Sequence, residues 1–294
     1  MRRIILLVFG FVCIVKIAIG ERPYFQQHVD YKISVTLDDK SNFLTGFEEM
    51  IYRNNSQDTL RELFFHLWPN AYKDRNTALC KQLVSQGNMN LYFASDEQRG
   101  FIDSLEFKVD DKGVTVVYDS INIDICKIVL NKPLLPNGTV IITTPFRVKI
   151  PDAKFSRLGH VGQSYMISQW YPKPAVYDRD GWHAMPYLSI GEFYSEFGSF
   201  QVDISVPANY VVAASGYLKT PSEVEFINNK IKTEVNEIDL DKRNTFPESE
   251  REFKTIRFVV DSVHDFAWFA DKRFRIVSKS IELASGRKVD CRAY

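Results

Sequence analysis

The chain has 294 residues, room for one large domain or two smaller ones, and its 45% hydrophobic and 25% charged residues exclude a disordered chain. Lys plus Arg number 37 and Asp plus Glu 37, so no net charge draws the protein toward nucleic acid. An aromatic share of 14%, with 22 Phe and 14 Tyr, suits half-buried strand faces and tilts the composition toward β.

Residues 1–20 read as a secretory signal. Arg2 and Arg3 precede the apolar run Ile4 to Val15, and Ala18-Ile19-Gly20 offers the small residues of a cleavage site. Lys16 interrupts the run and leaves it short of the ~20 residues that a spanning helix needs. The expectation is an exported protein, periplasmic or extracellular, with no stable membrane span after cleavage. Of the cysteines Cys13, Cys80, Cys126 and Cys291, three survive cleavage, and none forms a C-x-x-C pair. Such a sparse, odd set is no disulfide framework and leaves a Cys80–Cys126 bridge undecided.

From Tyr31 the pattern has period two. Tyr31, Ile33, Val35 and Leu37 share one face, and Lys32, Ser34 and Thr36 the other, which predicts a strand with one buried side. Asp38 to Asn42 reads as a turn, Phe47 to Tyr52 as the returning strand, and Leu60 to Trp68 as a third, stopped by Pro69-Asn70. Residues 73–98 read as a long polar loop. Strand signals resume at Ile102–Val109 and Val114–Tyr118, with Asp110-Asp111-Lys112-Gly113 between them. Ile125–Leu130 follows, then turns at Pro133 and Pro136-Asn137-Gly138, then Val140–Ile150. Phe200, Val202, Ile204 and Val206 alternate again, and Tyr210–Ser215 follows Pro207-Ala208-Asn209. Residues 222–252 are rich in Glu, Lys and Arg and read as a charged insertion, an exposed hairpin rather than a disordered segment. Core patterning returns at Ile256–Val260 and continues through Phe274–Ile281. Many short strands with frequent turns and no strong amphipathic helix predict an all-β fold, a β-sandwich over about 21–270.

The enzyme motifs tested are absent. No His is followed by Glu, which excludes H-E-x-x-H, and no G-x-S-x-G, P-loop or G-x-G-x-x-G occurs. His28, His66, His160, His183 and His264 form no i, i+4 pair. The densest stretch runs from Ser164 to Gly198 and mixes aromatics with charges, through Gln169-Trp170-Tyr171-Pro172-Lys173-Pro174, Asp180-Gly181-Trp182-His183 and Gly191-Glu192-Phe193-Tyr194. On pattern alone it is equally a surface that meets a partner and a packed loop that covers the sheet.

That stretch resembles the amino-terminal domain of aminopeptidase N-type zinc metallopeptidases, the gluzincin family, in its bacterial branch. Further segments agree in order: Tyr31 to Asp38, Tyr52-Arg53-Asn54-Asn55-Ser56, Phe65-His66-Leu67-Trp68-Pro69-Asn70-Ala71-Tyr72, Val206-Pro207, Val212-Ala213-Ala214-Ser215-Gly216, and Val263-His264-Asp265-Phe266-Ala267-Trp268. The resemblance implies a saddle-like β-sandwich ahead of a zinc domain, of which residues 271–294 would be the start and the rest would be missing. No cofactor is expected in this chain, and zinc is expected in that further domain. There the metal polarises the scissile carbonyl of peptide substrates with a free amino terminus, and a Glu takes the proton of its water.

The resemblance also implies one substrate contact in the saddle, a Gln or Glu ahead of an aromatic-Pro segment that holds the free α-amine. Gln169 matches that position, and Trp170 and Tyr171 flank it, so the candidate substrate-binding residues are Gln169, Trp170 and Tyr171, with no catalytic and no metal residue. A side-chain carbonyl suits an ammonium, which only donates. The sequence departs from the family's P-C-x-D-E-P-like string, in whose place stands Pro172-Lys173-Pro174-Ala175-Val176-Tyr177-Asp178. Trp170, Tyr171, Trp182 and Phe193 are expected as exposed rings at one end of the sandwich. Two other readings stay open: a stand-alone β-sandwich module for a peptide or glycan, and a site assembled from His160, His183, Glu192 and His264.

Overall fold

The computed structural model describes residues 24–191, 193–233 and 245–294. The signal-like segment and Glu192 lie outside the described residues.

Alternation writes the main sheet. In the strand His28–Asp38, Val29, Tyr31, Ile33, Val35 and Leu37 are buried while Lys32, Ser34 and Thr36 face out. Asp38 accepts hydrogen bonds from the backbone N–H of Lys40 (3.0 Å) and Ser41 (3.3 Å), and Asn42 takes φ 58°, which turns the chain directly into Phe43–Arg53. That strand pairs antiparallel along its whole length with both His28–Asp38 and Thr139–Lys149. On the other side, His28–Asp38 pairs parallel with Gly198–Pro207, which pairs antiparallel with Phe253–Val263. Short strands complete this nine-stranded sheet at both edges.

Two four-stranded sheets close the core. One holds Lys173–Pro174, Leu60–His66, Ile125–Leu134 and Thr115–Tyr118. The other holds Gly159–Val161, Ser164–Ile167, Trp268–Asp271 and Val211–Ala214. A single apolar cluster joins the inner face of the large sheet (Ile33, Val35, Met50, Ile142, Val202) to Phe65, Ile128, Ile167, Trp170 and Trp268 of the covering layers. The architecture is all-β in sandwich-like layers.

Three expectations are corrected. The segment 73–98 is not all loop: helix α1 spans Ala78–Ser85, capped by Thr77, whose Oγ1 accepts from the Cys80 N–H, with Leu79, Cys80 and Leu83 buried. Pro133 does not stop its strand, which continues to Leu134. The charged insertion begins as a helix rather than a hairpin: α2 covers Pro221–Thr233, with Pro221 at its first position. Residues 234–244 lie outside the described residues. The face of α2 carrying Ile227, with Phe226 and Ile231, packs on Val211, Leu218, Phe274 and Ile276. Val224, Ile227 and Ile231 sit three and four apart within a polar sequence, the spacing of one helix face. Cys80 and Cys126 are free, buried thiols, so no bridge joins them.

Candidate functional site

The register of the second covering sheet sets the site. Ile167 pairs with Trp268, and beyond that pair both chains leave the ladder side by side, with Gln169–Lys173 against His264–Phe266. Gln169 takes φ 50°, the left-handed region that costs a branched-free but Cβ-bearing residue strain and that recurs at functional positions. Gln169, Tyr171 and Lys173, spaced at every second residue, converge on one group, the Asp265 carboxylate. Gln169 Nε2 donates to Asp265 Oδ2 at 3.1 Å, and the Tyr171 hydroxyl to Oδ1 at 2.9 Å. Lys173 Nζ lies 2.8 Å from Oδ1, and the Phe266 N–H donates to the same oxygen at 2.8 Å.

Lys173 is sealed, with 2% of its side chain exposed. Its ammonium lies over the rings of Trp68 and Tyr171 and donates also to the His264 carbonyl at 3.4 Å. Burial alone would raise the Asp265 carboxyl, but the charge of Lys173 and the hydrogen bonds from Lys173, Tyr171 and Phe266 outweigh it and hold the group below its ordinary value. The same cation reaches further in. Burial, aided by Lys173, depresses the pKa of His66 to about 3, so the imidazole is neutral and its Nε2 accepts from the Met185 N–H at 3.2 Å. Burial lifts the carboxyl of Glu48 well above the ordinary range against the pull of Lys173.

Gln169 is left with its carbonyl open. Asp265 holds its amide nitrogen, while its Oε1 is buried and has no hydrogen-bond partner among the described residues. Buried polar atoms nearly always have partners, and Gln169 Oε1 is one of several among the described residues, with oxygens of Glu48, Tyr52 and Glu196, that lack one.

Trp170 and Tyr171 are not the exposed rings expected of them. Trp170 is 0% and Tyr171 2% exposed. Trp170 Nε1 donates to the Phe266 carbonyl at 3.1 Å and its ring packs edge-on against Trp268. Trp182 and Phe193 are half-buried and packed on the same core. The stretch is rich in aromatics because it builds this interior, the packed-loop half of the two readings open in its pattern. The histidines of the assembled-site reading are spread apart. His160 Nδ1 bonds the Gly162 carbonyl, His183 Nε2 lies 2.8 Å from Asp178 Oδ1, and His264 packs edge-on against Phe197.

The sequence reading missed Lys173 and Asp265 as parts of the site. The signal for the first was present: Gln169-x-Tyr171-x-Lys173 is three hydrogen-bond donors at period two. Asp265 carries no such local mark, because its role comes from strand pairing across 96 residues.

No family model and no curated protein matches the chain. Among solved structures, it is similar to an M1 zinc metallopeptidase from Deinococcus radiodurans, with a TM-score of 0.46 and 13% identity over 93% of this chain and 47% of that one. The same TM-score, identity and share of this chain, with 48% of the other chain, are found for a variant of that protein bound to a Tyr-Ser-Ala substrate. They recur for a two-domain M1 zinc metallopeptidase variant bound to L-arginine. The chain spans about half the length of those structures.

Proposed function

We propose that this chain is the amino-terminal, substrate-anchoring and scaffold domain of an exported zinc-dependent aminopeptidase-like metallopeptidase, not catalytic by itself. Two things support the reading: the ordered segments that resemble that family, and the state of Gln169, which carries it. The Gln169 carbonyl is an acceptor with no partner, beside a carboxylate whose charge Lys173 balances. A protonated α-amine offers only donors, so it complements that unpartnered oxygen. Among the described residues no group of His, Cys, Asp and Glu has the arrangement to hold a metal. No step is assigned to a metal on the described residues of this chain. On this reading zinc belongs to a catalytic domain outside it, and the peptide's amino end is held where the two meet.

The Gln169 oxygen is enclosed in the resting chain, so occupation by an ammonium requires local opening. Joined to a zinc domain of the resembled family, the chain is expected to support aminopeptidase activity. There, Gln169→Ala should raise KM by the equivalent of about 1–3 kcal/mol, the cost of an unpaired charged donor. An unchanged KM places the amine elsewhere.

A further inference from the structure

We infer that Asp265 is a positioning residue: it fixes which end of the Gln169 amide it holds, and so makes the other, unpartnered end an acceptor. The inference rests on reading Gln169 as the amine anchor. A primary amide can turn over, presenting either its carbonyl or its NH2, and nothing in glutamine itself selects one. The partner selects. An ionised carboxylate only accepts, so the Gln169 group at 3.1 Å from Asp265 Oδ2 must be the donating nitrogen. The other oxygen, Oδ1, is taken by Tyr171, Lys173 and the Phe266 N–H, which pin the carboxylate plane. With the carboxylate pinned, the amide has one orientation, and its open carbonyl accepts.

Lys173 has a second part in this. Without it, a peptide ammonium would be drawn to the Asp265 carboxylate itself. Paired at 2.8 Å and sealed under two rings, Lys173 leaves that carboxylate no charge to offer, so recognition is by the neutral carbonyl. The subsite thus takes a hydrogen-bond donor and discriminates against acceptors such as a peptide carboxylate.

The side-chain amide resonances of Gln169 in the 15N-labelled chain test this directly. In the wild type one Gln169 amide proton should be protected, exchanging with water at least about tenfold more slowly than those of the exposed Gln57, because it is held on a buried carboxylate. In Asp265→Asn, whose carbonyl stays with Tyr171, Lys173 and the Phe266 N–H and whose NH2 then faces Gln169, that protection should fall at least about tenfold. Unchanged exchange in a folded Asp265→Asn overturns the inference. If that variant does not fold, the wild type decides alone, since a Gln169 amide exchanging like that of Gln57 also overturns it. A protected amide that does not respond to a tripeptide with a free amino terminus keeps the positioning role and rejects the amine-anchor reading.

Discussion

Gln169 and Asp265 stand 3.1 Å apart, and a glutamate at position 169 would set two carboxylates face to face. Like charges at that distance cannot both stay ionised cheaply, so Gln169→Glu should unfold at lower temperature than Gln169→Met at pH 7, and the difference should shrink in acid as one carboxylate takes a proton. Thermal melts of the two variants across pH check this; equal melting at pH 7 would mean that the side chains do not meet. Lys173→Met asks the complementary question, because it leaves the Asp265 charge largely buried without its cation. A cost of about 3–5 kcal/mol in denaturant unfolding is expected, the usual consequence of breaking a buried pair from one side. At this scale the sequence spoke unevenly. Gln169 was singled out through its resemblance, and the donor series Gln169, Tyr171, Lys173 was written at period two. The acceptor that gathers them was not, because only pairing between distant strands brings Asp265 to them.

Among the elements, long strands were the most legible, since an uninterrupted alternation such as Tyr31 to Leu37 has no competing period. The helices were hidden. In α1 the signal was a Thr77 cap ahead of only eight residues. In α2 the charges of Glu223, Glu225, Lys230 and Lys232 masked a narrow apolar face. That face carries weight: Ile227 is 1% exposed, and Lys254 Nζ lies 2.7 Å from the buried Glu223 carboxylate. Ile227→Ala should therefore destabilise by about 2–5 kcal/mol, the range for a buried aliphatic truncation. Removal of residues 222–252 should likewise cost stability, despite their charge. Cooperative unfolding unchanged in Ile227→Ala would show that α2 merely rests on the surface.

At the scale of the whole molecule, buried titratable groups set opposing pH dependences. Burial raises Glu196 from 4.5 to about 7 and Asp124 from 3.8 to about 6, so the folded chain holds protons that the unfolded chain has released. Their contribution is full below the unfolded values and is lost as pH rises through the folded ones. His66 acts in the other direction: its pKa falls from 6.5 to about 3, so its contribution is present above 6.5 and lost as pH falls. The trends partly cancel, and a variant separates them. Glu196→Gln should gain on the wild type by roughly 3 kcal/mol between pH 4.5 and 8, at 1.36 kcal/mol per pKa unit; a pH-independent difference would contradict the burial of a neutral acid there. The sandwich class was readable from composition and turn spacing. The interior place of the Ser164–Gly198 stretch was not, because rings that cover a sheet and rings that await a partner have the same composition. The central claim, that Gln169 receives a peptide's amino terminus, is tested most directly by titrating the chain with a tripeptide carrying a free α-amine and with its acetylated form, following the Gln169 side-chain amide. The free peptide should shift that resonance and the acetylated one should not. Equal response to both, or a response to neither, would contradict the claim.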